Sequence, residues 1–159
     1  MDSQVSIYIE RADTELVLAQ KIMILTENAA IKEELKIEPS KTFYSAVISH
    51  AYYAIFYAAK AILLTKGIKT SSPDIHKKTY EEFENAFVKT GILDVQLLEI
   101  YKKLVIRADD LLQIFKNEKW KRGSFTYQTI PQANKEPADD SIKNAKIFVA
   151  HIMKIIRNR

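Results

Sequence analysis

Cysteine is absent from the 159-residue chain, which excludes disulfide staples, thiolate catalysis, zinc ribbons and iron–sulfur clusters. A single domain spanning 1–159 needs none of these, because a chain of this size buries roughly 68–70% of its unfolded surface. Glycine and proline are scarce, at three and four residues, so there are few places to turn. No strand pattern, glycine-rich phosphate loop, internal repeat or low-complexity linker interrupts the helical spacing. The three histidines, His50, His76 and His151, fall on different segments with no pair four apart, so neither a metal nor a cofactor is expected. A Gly-x-Ser-x-Gly elbow and a paired-carboxylate motif are also missing, which leaves Ser-triad chemistry and nucleotide hydrolysis without support. The N-terminal Met-Asp-Ser-Gln lacks the basic flank and apolar core of a signal peptide. The longest uninterrupted apolar run, Ala51 to Ala59, is nine residues, against the roughly 20 that cross a bilayer. A soluble, cytoplasmic protein without membrane contact is therefore expected.

What is present is apolar spacing of three and four residues almost throughout. It predicts an all-α, up-and-down antiparallel bundle of about five helices, with the second and fourth at its centre. The first follows Val5, Ile9, Ala12, Leu16, Ala19 and Met23, and runs on or restarts before Pro39. The second spans about Ser40 to Lys66, capped by Ser40 and stopped by Gly67. Ser72-Pro73-Asp74 opens the third, which carries Tyr80, Phe83 and Phe87 and ends at Gly91. Asp94 caps the fourth, whose Leu97, Tyr101, Leu104, Ala108, Leu111 and Phe115 form a short coiled-coil-like seam. Pro137, with Asp139 and Asp140, opens the fifth, whose inner face is Ile142, Ala145, Val149, Ile152 and Ile156.

Eighteen of the 22 residues from Phe43 to Leu64 are apolar, too many for a helix with a wetted face. Ala46, Ala54, Ala58 and Ala61 let a neighbouring helix approach closely, while Tyr44, Tyr52, Tyr53 and Tyr57 bring hydroxyls that need partners when buried. Such an aromatic stripe reads as core, with base stacking as the functional alternative. The net charge of +4 is compatible with phosphate contact. The basic clusters are Lys119-Trp120-Lys121-Arg122 and the stretch from Lys154 to Arg159, the latter suited to the dipole of a helix C-terminus.

The run Ser49-His-Ala-Tyr-Tyr-Ala-Ile-Phe-Tyr-Ala-Ala-Lys-Ala-Ile-Leu-Leu64, the later Phe-Val-Lys-Thr-Gly91, and Arg122 followed by Thr126-Tyr127 ahead of a final amphipathic helix resemble the small prokaryotic and archaeal HEPN domains. The resemblance covers about Ala12 to Ile156. It implies a helical bundle that dimerises, is often encoded beside a nucleotidyltransferase as a toxin–antitoxin pair, and in active members cleaves RNA without metal through an Arg, four to six intervening residues and a His. Carried onto this chain, the Arg is Arg122, and the position five residues on is Tyr127, not His. A phenol with an ordinary pKa near 10 is a poor general base beside an imidazole near 6.5. A guanidinium still offers a phosphate a planar fork of donors.

Residues five apart on a helix point about 140° from each other, so Arg122 and Tyr127 converge only where Gly123 or the helix end bends the backbone, and Thr126 is the more natural neighbour. The alternative for Arg122 is an ion pair with a carboxylate, with Tyr127 packed against the last helix. A second register places the Arg at Arg107, in Arg107-Ala-Asp-Asp110, where shorter relatives follow with Asp-Tyr; no Tyr follows here, which favours Arg122. Lys119, Trp120 and Lys121 complete the expected phosphate-binding group. Ser49, His50 and Tyr53 form a second tier, with a hydrogen-bonded core histidine as the other reading of His50.

Two functions follow. One is a non-catalytic module that binds a nucleotide, RNA or a nucleotidyltransferase partner; the other is a metal-independent ribonuclease toxin using Arg122. A homodimer is expected, because the apolar surface of the second helix and the seam of the fourth exceed what one small bundle covers.

Overall fold

The computed structural model describes residues 2–112 and 134–158. Six helices and no strand occur among them: α1 Ser3–Glu27, α2 Ala29–Glu34, α3 Tyr44–Leu64, α4 Ile75–Phe83, α5 Val95–Leu112 and α6 Lys135–Arg157. The expected helical bundle is thus present, with α2 as an extra turn and a half.

The Asp2 carboxylate caps α1 by accepting from the Gln4 N–H at 2.7 Å. Asn28 ends α1 in extended backbone and opens α2, its side chain accepting from the Ile31 N–H at 3.0 Å. One residue therefore makes the restart that the sequence left open. The start of α3 differs from expectation. Ser40 bonds Glu38 and caps nothing; the Phe43 N–H instead donates to Thr26 Oγ1 on α1 at 3.0 Å, and the helix begins at Tyr44. Its stop is as expected: Gly67 has φ of 71°, with the Gly67 and Ile68 N–H groups returning to the Leu64 and Leu63 carbonyls, a Schellman closure that favours glycine.

Ser72 does not cap α4, which starts at Ile75 after Asp74 turns through the left-handed region at φ of 58°. The helix widens into a π turn over Glu84–Val88 before Gly91, at φ of 78°, reverses the chain. Asp94 caps α5 through the Gln96 N–H at 2.8 Å. Its seam is buried at Leu97, Tyr101, Leu104 and Ala108, while Phe115 lies outside the described residues. The last helix begins two residues earlier than predicted, so Pro137 sits inside its first turn, where a missing N–H costs no helical bond. All five expected inner-face residues of α6 are buried.

The centre belongs to α3, which packs chiefly on α1 and α6 and less on α5 and α4. The expectation that the fourth predicted helix shares that centre is corrected: α5 lies against α3 and α6 at the flank. Of the predicted small residues Ala54, Ala58 and Ala61 are buried, together with Ala51 and Ala59, while Ala46 is only half-buried. A second layer of core joins α4, α5 and α6 through Phe83, Tyr101 and Phe148, with ring centroids 5.4–5.7 Å apart. By length and composition α3 could cross a membrane, but 72% of its most apolar window is buried inside the fold. The α3 surface is thus covered within one chain, and that half of the sequence argument for a dimer falls away. The large exposed apolar side chains lie elsewhere, including Ile7, Val17, Leu18 and Ile24 on α1.

Candidate functional site

Arg122, Tyr127, Lys119, Trp120, Lys121 and Thr126 lie outside the described residues. The helices that carry both ends of their segment are described. Five residues before the end of α5, Arg107 Nη1 donates to Asp140 Oδ2 at 2.8 Å and Ser141 Oγ at 3.0 Å. The Pro137 carbonyl lies 3.4 Å from the same nitrogen. Asp140 also takes an Asn144 amide bond at 2.9 Å and sits 3.5 Å from Lys103. Burial alone raises a carboxyl pKa; here the hydrogen bond and charge of Arg107, with Lys103, outweigh it and hold Asp140 below its ordinary value. Arg107, the alternative arginine of the sequence reading, is thereby committed to fastening α5 to α6. With its side chain only 18% exposed, it is a clamp between the two helices.

The expected second tier is not one cluster. Ser49 returns its hydroxyl to the Ser45 carbonyl of its own helix at 3.0 Å. His50 Nδ1 meets Glu15 Oε2 at 2.5 Å, tying α3 to α1, with the His50 side chain 30% exposed, so it is hydrogen-bonded but lies at the rim of the core. Tyr53 packs its ring against Tyr52, Phe56, Tyr57 and His76. Its phenol pKa is raised by burial, then by Tyr57 and Glu15.

The sequence reading missed the polar centre of this face. Tyr52, fully buried, shares a 2.8 Å hydrogen bond with His76 Nδ1, and the His76 ring lies 4.5 Å from that of Phe56. Burial, reinforced by the charge of Lys60, lowers the His76 pKa to about 4, so the imidazole is neutral at physiological pH. Burial raises the Tyr52 phenol well above its usual value, with Tyr101, Tyr53 and the buried Asp109 adding to it. A protonated phenol and a neutral imidazole can exchange a hydrogen bond but give no ready base at neutral pH. The one sequence signal was the buried Tyr52 hydroxyl's need for a partner. Naming His76 required knowing that α4 lies on α3. Among the described residues no group of acids and histidines could hold a metal.

The profile of the HEPN domain matches residues 29–156. The chain is 30% identical over 122 residues to a Methanocaldococcus jannaschii protein named "Putative toxin MJ0605", covering 77% of this chain and 78% of that protein. A second protein of that organism, "Putative toxin MJ0142", is 40% identical over 73 residues, 43% of this chain and 48% of its own. A Thermotoga maritima "UPF0332 protein" is 28% identical over 113 residues, 71% and 73% of the two chains. No solved structure matches.

Proposed function

Because the chain belongs to the HEPN domain family, we propose that it acts as a toxin-like module that binds RNA or a nucleotide through Arg122, without cleaving it. The observation that carries this reading is where the charge falls along the sequence. Residues 113–133 hold four basic side chains, Lys116, Lys119, Lys121 and Arg122, against the single acid Glu118. That net of +3 accounts for most of the chain's +4. The segment leaves α5 and enters α6, the two helices that Arg107 and Asp140 fasten together. A concentration of cations attracts a phosphate backbone, and the guanidinium of Arg122 supplies a bidentate donor pair.

Tyr127 at the position of the family's histidine is the reason for reading binding and not cleavage, since an ordinary phenol withdraws few protons from a ribose hydroxyl at neutral pH. The toxin names of two relatives favour the second reading, an active metal-independent ribonuclease, and they favour an antitoxin-like partner, for which a nucleotidyltransferase is the family's usual companion. A homodimer belongs to the same proposal. Its support is the exposed Ile7, Val17, Leu18 and Ile24 of α1, which a second copy would cover.

The test is a ribonuclease assay with metal chelated, run beside RNA retention on the same wild-type protein and on Arg122→Ala. The proposal expects RNA held intact by the wild type and released by the variant. Cleavage by the wild type that Arg122→Ala abolishes would replace it with the nuclease reading.

A further inference from the structure

His76 stands on the first turn of α4, over an aromatic stretch of α3. Its ring centre lies 4.5 Å from that of Phe56, 5.6 Å from Tyr52 and 6.0 Å from Tyr53. Three rings of one helix therefore fix the imidazole in place. Its polar contact is fixed as well, by the 2.8 Å hydrogen bond between Nδ1 and the Tyr52 hydroxyl. The titratable and charged groups facing the ring are Tyr52, Tyr53 and Lys60 of α3, with Asp109 of α5 acting on Tyr52 from behind.

The direction of this bond follows from burial. In a neutral imidazole one nitrogen donates and the other accepts. Were Nδ1 the donor, the phenol oxygen would accept, and the phenolic proton would need an acceptor elsewhere. Tyr52 has no exposed surface, and Nδ1 is the one hydrogen-bond partner of its hydroxyl among the described residues. Loss of the proton is no escape, because burial and the neighbouring Tyr101, Tyr53 and Asp109 hold it on the phenol. A buried donor without a partner is costly, so the phenol donates and Nδ1 accepts. The ring proton then sits on Nε2.

We infer that Tyr52 is a positioning residue that locks His76 in its Nε2–H tautomer, so that α4 offers an acceptor oxygen a neutral hydrogen-bond donor. In this form the ring has no lone pair to spare. That of Nδ1 takes the phenolic proton, and Nε2 carries a hydrogen. His76 can then neither ligate a metal nor serve as the base that the family's motif places on a histidine and this chain replaces with Tyr127. The inference uses described residues of α3 and α4 and does not depend on RNA binding at Arg122.

The test is nitrogen-15 NMR of the histidine rings in the whole protein, with His76→Gln identifying the His76 signals. At pH 7 the wild type should show Nε2 protonated and Nδ1 bare; a proton on Nδ1 would overturn the inference by itself. Tyr52→Phe keeps the ring and removes the hydroxyl, and the sign of its effect separates the two bond directions. A donor to Nδ1 favours the neutral imidazole, so losing it should raise the midpoint of the His76 titration by about one pH unit, the scale of one hydrogen bond. With the wild-type value at about 4, the variant should be about half protonated at pH 5, where the wild type is about one-tenth protonated. Tyr53→Phe, which removes a neighbouring hydroxyl that does not bond His76, should leave the midpoint in place. A midpoint left unchanged or lowered by Tyr52→Phe would overturn the inference, since a phenol that accepted from Nδ1 would stabilise the imidazolium. So would an equal rise in Tyr53→Phe. Amide spectra at pH 5 check that the variants are folded, and the wild-type tautomer decides alone if Tyr52→Phe is not.

Discussion

Tyr101 is fully buried and its hydroxyl has no hydrogen-bond partner among the described residues. Tyr101→Phe is therefore expected to stabilise the protein by about 1 kcal/mol, the lower end of what an orphaned buried hydroxyl costs, measured by urea unfolding. Arg107 is the opposite case, a charged donor with acceptors in place. Arg107→Ala should cost about 2 kcal/mol, since it removes hydrogen bonds to a charged group and leaves Asp140 half-satisfied, and a double-mutant cycle with Asp140→Asn should show the two losses to be non-additive.

His76 gives the pH dependence. With its pKa lowered from 6.5 to about 4, the unfolded chain binds the extra proton between those values. The contribution of the neutral ring is full above about pH 6.5, shrinks as the pH falls and is gone below about 4. Partial exposure screens the effect, which leaves about 1–2 kcal/mol. His76→Gln should flatten stability over that window, and an unchanged slope would show that the proton is taken up elsewhere.

Among the elements, α3 is the least tolerant of added volume, because Ala54 and Ala61 have no exposed surface and α1 and α6 close over the helix. Ala54→Leu is expected to destabilise by about 1–3 kcal/mol or more, as overpacking does, with the loss read as a lower melting temperature. Helix identity was legible in the sequence because apolar periodicity extends over long segments. The predicted inner face of α6 is buried, and so is that of α5 at Leu97, Tyr101, Leu104 and Ala108 but not at the half-buried Leu111; Gly67 ends α3 for the predicted reason. What was not legible were starts set by tertiary contacts. Ser40 is a sound local cap, yet the Thr26 hydroxyl on α1 takes the Phe43 N–H and fixes the boundary four residues later. The same limit hid the Tyr52–His76 bond, which links two segments 24 residues apart. Nor was it legible that Ser49 returns its hydroxyl to its own helix and that His50 is taken by Glu15, so that the predicted second-tier residues Ser49, His50 and Tyr53 have separate partners.

At the scale of the whole molecule, the chain is a HEPN-family helical bundle whose α5 and α6 carry a strongly basic segment between them. The dimer proposal predicts that sedimentation at tens of micromolar, about the range a standard-size interface requires, gives twice the 18.3 kDa chain mass. Val17→Lys with Leu18→Glu on α1 should return it to a monomer. The central claim, that Arg122 holds phosphate, is tested most directly by fluorescence anisotropy of a labelled single-stranded RNA titrated with wild type and Arg122→Ala, alongside their melting temperatures. A loss of about tenfold or more in affinity, the scale of a charge-assisted contact, with an unchanged melting temperature, is the predicted result. Equal affinities would contradict the claim, as would a variant destabilised by roughly 3–5 kcal/mol, the signature of a broken buried ion pair.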